Sequence, residues 1–549
     1  MLAAVTDAHF VPERAAVGQA PSIVMLTGAD LTISSVEAVA RHGARAALDP
    51  VARERMQEAR DVIDELVRRG EVVYGVTTGF GDLASTFIPP EDAATLQENL
   101  IASHAAGVGR PFPREVVRAM LLLRANTLAL GHSGCRPLLV DFICRLLELG
   151  IHPVVPEQGS VGASGDLAPL AHLALPMIGR GHVEVGGQVM PALVALREHG
   201  LEPLTLQPKE GLALLNGTQL MSALGALLLA DADRLTRTAS VAAAMSVEAL
   251  LGTEVAFAAP YQLARPHPGQ VEVAAELRHL LRGSELQTGH HGSAHKIQDP
   301  YSLRCVPQVH GAVRDALDHL RRVLDIELNS ATDNPLVFPA GGAVPADALA
   351  TGGGLVISGG NFHGEPIALA LDFAKLALAE LGAISERRTA LLVDPRLNGG
   401  LPAFLTPDPG RNSGLMIVQY TAAALASENK VLVHPSTADS IPTSANQEDH
   451  VSMGASAARH ARTVLGHVQQ IVAIELLTAA QALDLRLSAL AASSADRKAP
   501  VPGTGVAEAH ARVRARVKRL AGDREPGADL ATTLAIVQEG ALADLVGAP

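Results

Sequence analysis

Three consecutive residues of the chain, Ala163, Ser164 and Gly165, could build an electrophile from the backbone itself. The amide nitrogen that follows the serine must attack the carbonyl carbon that precedes it. Glycine suits this attack because it has no Cβ and reaches backbone angles closed to other residues. Loss of water from the Ser164 side chain then leaves a methylidene group conjugated to the new ring. We therefore expect a cofactor that the chain makes from these three residues.

The next residue along the chain, Asp166, supports this hypothesis. Its carboxyl group could assist the dehydration, and its type and position are typical of an N-cap for a helix predicted from Leu167 to Leu175. The dipole of that helix would favour negative charge developing beside the ring. An Ala-Ser-Gly tripeptide alone is weak evidence in a chain rich in alanine and glycine, and a glycine-rich turn before a helix is the alternative interpretation.

A second candidate is the phenol of Tyr74, in the stretch 74–81, where a predicted β-like segment at 72–76 runs into a glycine turn at 77–81. A phenol beside an electrophile and an arginine can have a lowered pKa and act as a base. One alternative is a plain turn with a packed tyrosine. Another is a nucleotide-binding loop, which is disfavoured because Glu98, the acid at the expected distance, lies in a predicted helix.

The segment 298–304 could bind a carboxylate. Asp299 and Pro300 are typical of an N-cap and a first helical position, which would place Tyr301 and Arg304 on one face. An arginine in the first turn of a helix is unfavourably placed for the helix dipole and favours a nearby anion. A planar guanidinium can grip a carboxylate with two hydrogen bonds. A structural ion pair is the alternative.

The composition sets limits on the classes of function. Hydrophobic residues make up 48% of the 549 residues and aromatic residues 3%, so the core must be aliphatic. The net charge of −13 and the lack of a basic run argue against nucleic acid. Three distant cysteines predict neither a disulfide nor a zinc site, and favour a reducing compartment. We see no signal peptide, and the apolar run 220–230 is too short to span a bilayer, so we expect a cytoplasmic protein without membrane partners.

Helical patterns dominate the chain. Long Ala/Leu runs that are apolar nearly all round predict buried helices, and so many of them predict a bundle. We expect an arm at 1–30, a smaller N-terminal domain at 31–208, a central helical bundle at 209–496 and a C-terminal helical cap at 497–549. The predicted helices are a capped one opening with Ser34 and Glu37, one from Pro50 to Gly70, and others at 91–106, 113–130, 137–149, 212–251, 309–328, 367–392, 415–433 and 451–483. A hairpin is predicted at 183–189.

Some polar residues could have a purely structural role instead of a functional one. On sequence alone, His104 is more often a satisfied histidine of a core than a ligand-binding group. The loop 443–450, which contains Glu448, could be a capped, solvated loop. His290, His291 and His295 lack a carboxylate or cysteine that would complete a metal site, so we expect no metal.

The stretch 159–172, which reads G-S-V-G-A-S-G-D-L-A-P-L-A-H, resembles the signature of the aromatic amino acid ammonia-lyases, whose cofactor is a methylidene-imidazolone ring (MIO). Further similar motifs lie at 74–81, 103–107, 209–219, 298–304, 358–363 and 443–450. Together they extend from about Leu31 to Arg486. The resemblance implies a mainly α fold of the fumarase/aspartase-like helical lyase architecture, with a long central bundle and a smaller N-terminal domain that carries the MIO loop.

The resemblance also implies roles for individual residues, with no external cofactor. Tyr74 would be the base that removes the β-proton, Arg304 would hold the substrate carboxylate, and Phe362 would pack against the MIO ring. His104 and Glu448 would bind the substrate's ring. The full implied set is Ala163, Ser164 and Gly165 for the MIO, and Tyr74, His104, Asn216, Gln298, Tyr301, Arg304, Phe362 and Glu448 for catalysis and substrate binding.

Within that family, Ser103-His104, Glu448 and the segment 298–304 are most similar to the histidine-specific members. This implies conversion of L-histidine to trans-urocanate and ammonia, the first step of histidine degradation, by a homotetramer with shared active sites. Thr77 departs from the asparagine more usual in those members. A tyrosine or phenylalanine lyase or an aminomutase therefore stays open, as does a non-catalytic helical scaffold. The loop G-S-S-x-M-P of the fumarase and argininosuccinate lyases is absent.

Overall fold

The structure is a computed structural model that describes residues 23–78, 88–89, 92–162, 165–288, 298–339, 349–351, 354–494 and 498–547. Ala163 and Ser164, the three histidines at 290–295, and Gly79 and Gly81 of the alternative nucleotide-binding loop lie outside the described residues.

Helices make up most of the described structure. They are α1 (Ile33–Arg41), α2 (Pro50–Arg69), α3 (Ala93–His104), α4 (Arg114–Ala129), α5 (Leu138–Leu149), α6 (Leu167–Ala174), α7 (Ala192–Glu198), α8 (Glu210–Leu215), α9 (Gln219–Ala249), α10 (Ala259–Leu263), α11 (Pro268–Leu280), α12 (Glu285–Thr288), α13 (Tyr301–Arg304), α14 (Val306–Glu327), α15 (Glu365–Val393), α16 (Met416–Leu432), α17 (Gly454–Ser493), α18 (Thr504–Arg516) and α19 (Gly527–Glu539).

The strands are short and form small separate sheets. They are β1 (Ile23–Leu26), β2 (Arg45–Leu48), β3 (Val108–Pro111), β4 (His152–Pro153), β5 (Pro156–Gln158), β6 (His182–Val185), β7 (Gln188–Pro191), β8 (Leu336–Pro339), β9 (Leu349–Thr351) and β10 (Gly354–Ile357). β1 pairs with β2 in parallel, and the other pairs, β3–β5, β4–β6–β7 and β8–β10–β9, are antiparallel.

The centre of the molecule is a bundle of α9, α14, α15 and α17. α9 is buried along almost its whole length, as its uninterrupted run of alanine and leucine predicts. Small residues let the helices approach closely: a Cβ on Gly382 of α15 would lie 3.1 Å from Val468 of α17. One cluster of buried side chains runs from Leu26 to Val546, so the N-terminal part and the bundle share a core. The predicted mainly α fold with a central bundle is confirmed.

One helix in the described part of the chain, α17, is long and apolar enough to cross a membrane by length and composition. However, 78% of its most apolar window is buried inside the protein. It therefore has the surroundings of a core helix, and it packs against α9 and α15.

The predicted helix from Leu212 to Leu251 is interrupted, and this prediction was wrong at the site that matters most. α8 ends at Leu215 and α9 begins at Gln219. Asp166 makes no capping bond to its own helix α6, contrary to the sequence prediction. Its carboxylate instead accepts from the N–H groups of Leu220 (3.0 Å) and Met221 (3.1 Å). These N–H groups have no partner within a helix, so Asp166 caps α9 from outside.

Three further local predictions were wrong for physical reasons. Thr32, not Ser34, caps α1 by accepting from Ser35 N. The segment 72–76 is a turn rather than a strand, because the Thr77 hydroxyl accepts from Val73 N at 2.9 Å and closes it. Pro300, not Asp299, precedes the four-residue helix α13. The Asp299 carboxylate accepts from Thr253 N at 2.7 Å.

Two other local predictions are confirmed. α2 is capped by the Asp49 carboxylate at its start and ends at Gly70, whose φ is 69°. The hairpin of β6 and β7 turns at Gly186 and Gly187, which both have positive φ.

A fully buried ion pair joins three helices of the bundle. The Arg388 guanidinium on α15 binds both carboxylate oxygens of Glu475 on α17, one of them at 2.8 Å. Ser246 of α9 and Ser385 of α15 each donate to the same carboxylate at 2.7 Å. Each oxygen of the Glu475 carboxylate thus accepts two hydrogen bonds. These bonds and the paired Arg388 charge offset the free-energy cost of removing both groups from water.

We expect Glu475→Gln to destabilise the protein by about 3–5 kcal/mol, because the Arg388 charge would be left buried without its counter-ion. Urea unfolding followed by circular dichroism measures this. The control is Arg396→Ala, since this arginine is exposed and pairs with Asp394 on the surface; its unfolding midpoint should match the wild type. Equal midpoints for all three proteins would contradict the assignment.

Candidate active site

The turn that contains the predicted tripeptide is held between two glycines in the left-handed region. Gly162 has φ 73° and Gly165 has φ 78°. A Cβ on Gly165 would collide with the carbonyl of Gly217, and one on Gly162 would collide with the Ser452 hydroxyl. Both positions therefore require glycine for conformation and for space.

Backbone bonds from three distant segments fix this turn. Asp166 N donates to Gly217 O at 2.7 Å, Met453 N donates to Val161 O at 2.8 Å, and Gly364 N donates to Gly162 O at 3.5 Å. Gly217 follows Asn216 directly, Gly364 lies two residues after Phe362, and Met453 lies five residues after Glu448. The structure therefore brings the segments of Asn216, Phe362 and Glu448 to the predicted cofactor turn.

The Asp166 carboxyl group is fully buried beneath the turn. Burial raises its pKa to about 7, while hydrogen bonds from Met221 N, the Ser160 hydroxyl and Leu220 N act in the opposite direction. The Ser160 hydroxyl donates to the carboxylate at 3.0 Å. A carboxyl group near half-ionisation at neutral pH can both take up and release a proton.

Asn216 lies in the break between α8 and α9 and is buried. Its backbone carbonyl accepts from Arg124. Its side-chain oxygen has no hydrogen-bond partner among the described residues. Buried polar atoms without a partner are rare, so this oxygen marks a place where a further polar group belongs.

The protonation state of His104 can be read from its neighbours. Nδ1 lies 2.8 Å from the carbonyl of Leu100, so it carries the proton and donates, and Nε2 is left as an acceptor. Burial lowers the pKa of His104, and the nearby charge of Glu448 partly opposes this. The carboxylate of Glu448 therefore lies within electrostatic range of His104 in the same chain.

Further contacts hold these two groups in place. His172 of α6 accepts from Gly107 N at 3.1 Å and so fixes the loop that follows His104. The Thr443 hydroxyl donates to the Glu448 carboxylate at 2.6 Å. Sequence reasoning assigned His172 no role, although it is the last residue of the 159–172 signature.

A cluster of His363, Glu365 and His450 lies beside Phe362, although no sequence motif joins these three residues. Their candidate ligand atoms lie within 4.8 Å of one another, close enough to consider a metal ion. Both ring nitrogens of His363 already have hydrogen-bond contacts, with Glu365 N and His450 O at 3.3 Å each. These contacts explain the arrangement without a metal.

The proposed carboxylate-binding residues Gln298, Tyr301 and Arg304 form a separate surface, which we call the platform. Arg304 stacks over the Tyr301 ring, with its Cζ 4.7 Å from the ring centroid. Its Nε donates to Asp299 O at 3.0 Å. Tyr301 is 71% exposed, and Gln298 is exposed as well. The predicted common face of Tyr301 and Arg304 is therefore present, and it points away from the core.

One chain does not bring this platform to the cofactor turn. The platform lies at the C-terminal end of α9: Arg388, whose partner Glu475 binds Ser246, donates to Ser302 O at 3.4 Å. The turn lies at the N-terminal end, through Asp166. With 31 residues, α9 is about 45 Å long. Gly165, Asn216, His104, Phe362 and Glu448 thus gather at one end, and Gln298, Tyr301 and Arg304 at the other.

Tyr74 lies in the turn that Thr77 closes. It is half-buried against the main hydrophobic core. Thr77, the residue that departs from the histidine-specific pattern, is buried and uses its hydroxyl within the turn, accepting from Val73 N and donating to Glu71 O at 2.7 Å. Its role in this chain is to shape the loop that carries Tyr74.

The raised pKa of Asp166 predicts a pH-dependent stability. Its ionisation is less favourable in the folded than in the unfolded chain, so wild type should lose stability relative to Asp166→Asn as the pH rises from 5 to 8. Urea midpoints at these pH values measure the difference. Asp394→Asn is the control, because its hydrogen bond with Arg396 lowers the Asp394 pKa to about 2 and keeps it ionised throughout. Parallel curves for wild type and Asp166→Asn would refute the assignment.

Comparison with known proteins agrees with this geometry. The family model "Aromatic amino acid lyase" matches residues 31–515. A histidine ammonia-lyase of Anaeromyxobacter sp. (strain K) is 53% identical over 528 residues, covering 94% of this chain and 99% of the relative.

Solved structures give the same result. The crystal structure of histidine ammonia-lyase from Trypanosoma cruzi superposes with a TM-score of 0.85 at 43% identity and covers 95% of each chain. Tyrosine aminomutase from Streptomyces globisporus gives a TM-score of 0.86 at 37% identity, over 96% of this chain and 98% of that chain. The match extends over most of the described elements, including the cofactor turn and the bundle, and the chain belongs to the aromatic amino acid lyase family.

Proposed function

We propose that the protein acts as a histidine ammonia-lyase, converting L-histidine to trans-urocanate and ammonia. The observation that carries this proposal is the pair formed by His104 and Glu448. The bond from His104 Nδ1 to Leu100 O leaves Nε2 as an acceptor, and Glu448 adds a carboxylate nearby. Two acceptors suit the two N–H groups of an imidazolium, and either acceptor can bind the single N–H of a neutral imidazole, whereas the ring of phenylalanine has no donor to offer them. The names of the relatives support the same substrate.

Ala163, Ser164 and Gly165 would form the MIO, with no external cofactor. The surroundings fit that group: Gly165 has the positive φ and lack of space that exclude any side chain, and the unpartnered Asn216 oxygen faces a place for a further polar group. The MIO would supply an electrophile that takes up the substrate amine and makes it a better leaving group.

The residues of the chain would divide the remaining work. Arg304, with Tyr301 and Gln298, would bind the substrate carboxylate through a planar guanidinium. Tyr74 would remove the β-proton. His104 and Glu448 would orient the imidazole, Phe362 would pack against the cofactor, and the Asn216 amide would hydrogen-bond beside it. Each of these roles positions the substrate so that amine and proton leave from adjacent carbons.

The active site would be completed by a second copy of the chain in a homotetramer. The length of α9 separates the carboxylate platform from the cofactor turn by more than a side chain can span. α15 also exposes Leu369, Phe373 and Leu376, which share one helix face. Exposed apolar faces of this kind are typical of subunit interfaces. We also retain as proposals the four-part division at residues 30, 208 and 496, a cytoplasmic location, and the absence of nucleic acid or membrane partners.

A second candidate function is a tyrosine lyase or aminomutase of the same family, because a tyrosine aminomutase shares this fold with a TM-score of 0.86 at 37% identity. The two substrates differ at the ring, so the ring pocket separates them. A phenol would have to occupy the place assigned to the imidazole.

Substrate kinetics test the proposed function. A pocket that hydrogen-bonds its substrate rejects an analogue lacking the polar group by up to about 10⁴–10⁵-fold in kcat/KM. We expect L-histidine to be strongly preferred over L-phenylalanine and L-tyrosine, and Glu448→Ala to lower histidine turnover far more than any activity on the others. Asp439→Ala, an exposed carboxylate nearby, should behave as wild type. A highest kcat/KM for tyrosine would favour the second candidate.

Mixing two inactive variants tests the shared site. Glu448→Ala damages the end with the cofactor turn, and Arg304→Ala damages the platform at the other end of α9. If each site takes these residues from different chains, equimolar reassembled hybrids should recover about a quarter of wild-type activity, because one site in four then combines two intact residues. Activity no higher than that of the separate variants, in tetramers whose mixing is verified by native mass spectrometry, would place both residues in one chain's site.

A further inference from the structure

A buried arginine that the proposed mechanism does not use lies behind the cofactor turn. Arg124 of α4 is 1% exposed. Its Nη1 donates to the backbone carbonyl of Asn216. Its Nε and Nη2 are buried and have no hydrogen-bond partner among the described residues. An incompletely bonded guanidinium at full burial destabilises a fold, so its presence calls for a reason.

Asp333, which acts electrostatically on Arg124, and Glu210, which acts on the neighbouring Cys135, are already matched by other cations. Asp333 lies 2.8 Å from the Lys209 ammonium, and both side chains are fully buried. Glu210 lies 2.6 Å from the Arg136 guanidinium. Among these five charged groups there is one more cation than anion.

Two further groups, the Cys135 thiol and the Asp166 carboxylate, do not neutralise the positive charge of Arg124. Burial raises the pKa of the neighbouring Cys135 thiol to about 12, so the thiol is uncharged. Burial lowers the pKa of Arg124 to about 10, which still leaves it charged at neutral pH. The Asp166 carboxylate is directed to Ser160, Leu220 and Met221.

This charge is coupled to the cofactor turn through a single peptide unit. The Asn216 carbonyl binds Arg124, and the same peptide unit contains the nitrogen of Gly217. Gly217 pairs with Gly165 in a parallel bridge, and its carbonyl accepts from Asp166 N at 2.7 Å. A Cβ on Gly217 would lie 3.0 Å from Arg124 Nη1. The peptide is thus packed between the guanidinium and Gly165.

We propose that Arg124 is a positioning residue for cofactor formation: its buried positive charge fixes and polarises the Asn216–Gly217 peptide against Gly165 and so promotes ring closure. This inference rests on the proposed function. A cation on the carbonyl strengthens the dipole of the whole peptide, including its N–H. Such a preorganised dipole favours negative charge that develops beside it.

The reaction that Arg124 assists is a cyclisation followed by two dehydrations. The Gly165 nitrogen forms a bond to the Ala163 carbonyl carbon, whose π electrons move to oxygen while the nitrogen loses its proton. The oxygen takes up that proton, and the resulting hydroxyl leaves with the N–H proton of Ser164 as water while a C=N bond forms between the former Ala163 carbonyl carbon and the Ser164 nitrogen. The Ser164 Cα–H and hydroxyl leave as a second water and a C=C bond forms. Negative charge develops on the attacked oxygen in the first step. The positive end of the Asn216–Gly217 peptide dipole would accelerate this step.

Peptide mass spectrometry tests the proposal without measuring activity. The tryptic peptide of residues 146–180 contains the tripeptide, and a completed ring makes it lighter by two water molecules. In freshly synthesised full-length wild type, conversion should be complete. In folded Arg124→Met the rate of conversion should fall by about 10²-fold, as for loss of one preorganised donor.

The matched control is Arg118→Met. Arg118 lies on the same helix, is buried, and donates to the carbonyls of Val39 and Leu147, away from the turn. It should lower the thermal unfolding temperature but leave conversion at the wild-type rate. Wild-type conversion in Arg124→Met, or equal slowing in both variants, would overturn the inference.

Two further outcomes are informative. If Arg124→Met does not fold, Arg124→Lys is compared with Arg118→Lys: slower conversion at position 124 alone supports the inference, and equal rates overturn it. If the wild-type peptide keeps both waters, the proposed function fails together with this inference, whereas conversion in wild type and Arg124→Met alike overturns the inference alone.

Discussion

The capping of α9 by Asp166 is the interaction on which the rest of the site depends. Asp166 follows directly after the cofactor turn. Its carboxylate accepts from the N–H groups of Leu220 and Met221 in the first turn of α9, a buried helix of 31 residues. The helix dipole and two N–H donors stabilise the anion, while burial opposes it and leaves the pKa of Asp166 near 7. The bond therefore ties a reactive turn to the rigid centre of the bundle.

The sequence predicted best those elements whose apolar residues recur with the strongest helical period. Long aliphatic helices such as α14 and α15 were found within a few residues, because their apolar surface alone determines that they are buried. α17 was found as well, but it continues to Ser493, ten residues beyond the predicted end at 483. Caps and breaks were not: the donor that a carboxylate meets is fixed by tertiary packing, so Asp166 caps α9 and Asp299 binds Thr253 N. The hydroxyl of Thr77, which closes a turn in place of a strand, belongs to the same class.

The candidate site was predictable as a set of residue types but not as a geometry. Motif resemblance indicated His104, Asn216 and Glu448, and the structure gathers their segments at one end of α9. The resemblance did not indicate that Arg304 lies at the other end of α9, because the position of a segment along a helix depends on which elements pack beside that helix. Nor could sequence indicate the tautomer of His104, which a single backbone carbonyl determines. The roles of Ala163 and Ser164 remain predictions, since both lie outside the described residues.

The two ends of α9 also explain how opposite charges are used. At its N-terminus lie an acid of intermediate pKa, Asp166, and an arginine, Arg124, that has no ion pair of its own among the described residues; Arg124 binds the Asn216–Gly217 peptide. A buried cation without a counter-ion is unfavourable in a fold optimised only for stability. At the C-terminus, Arg388 is fully matched by Glu475, although it too supports a segment assigned to substrate. Under our proposal, the difference between a matched and an unmatched arginine follows from the chemistry: the positive charge of Arg124 is kept at the turn where negative charge would develop during ring closure.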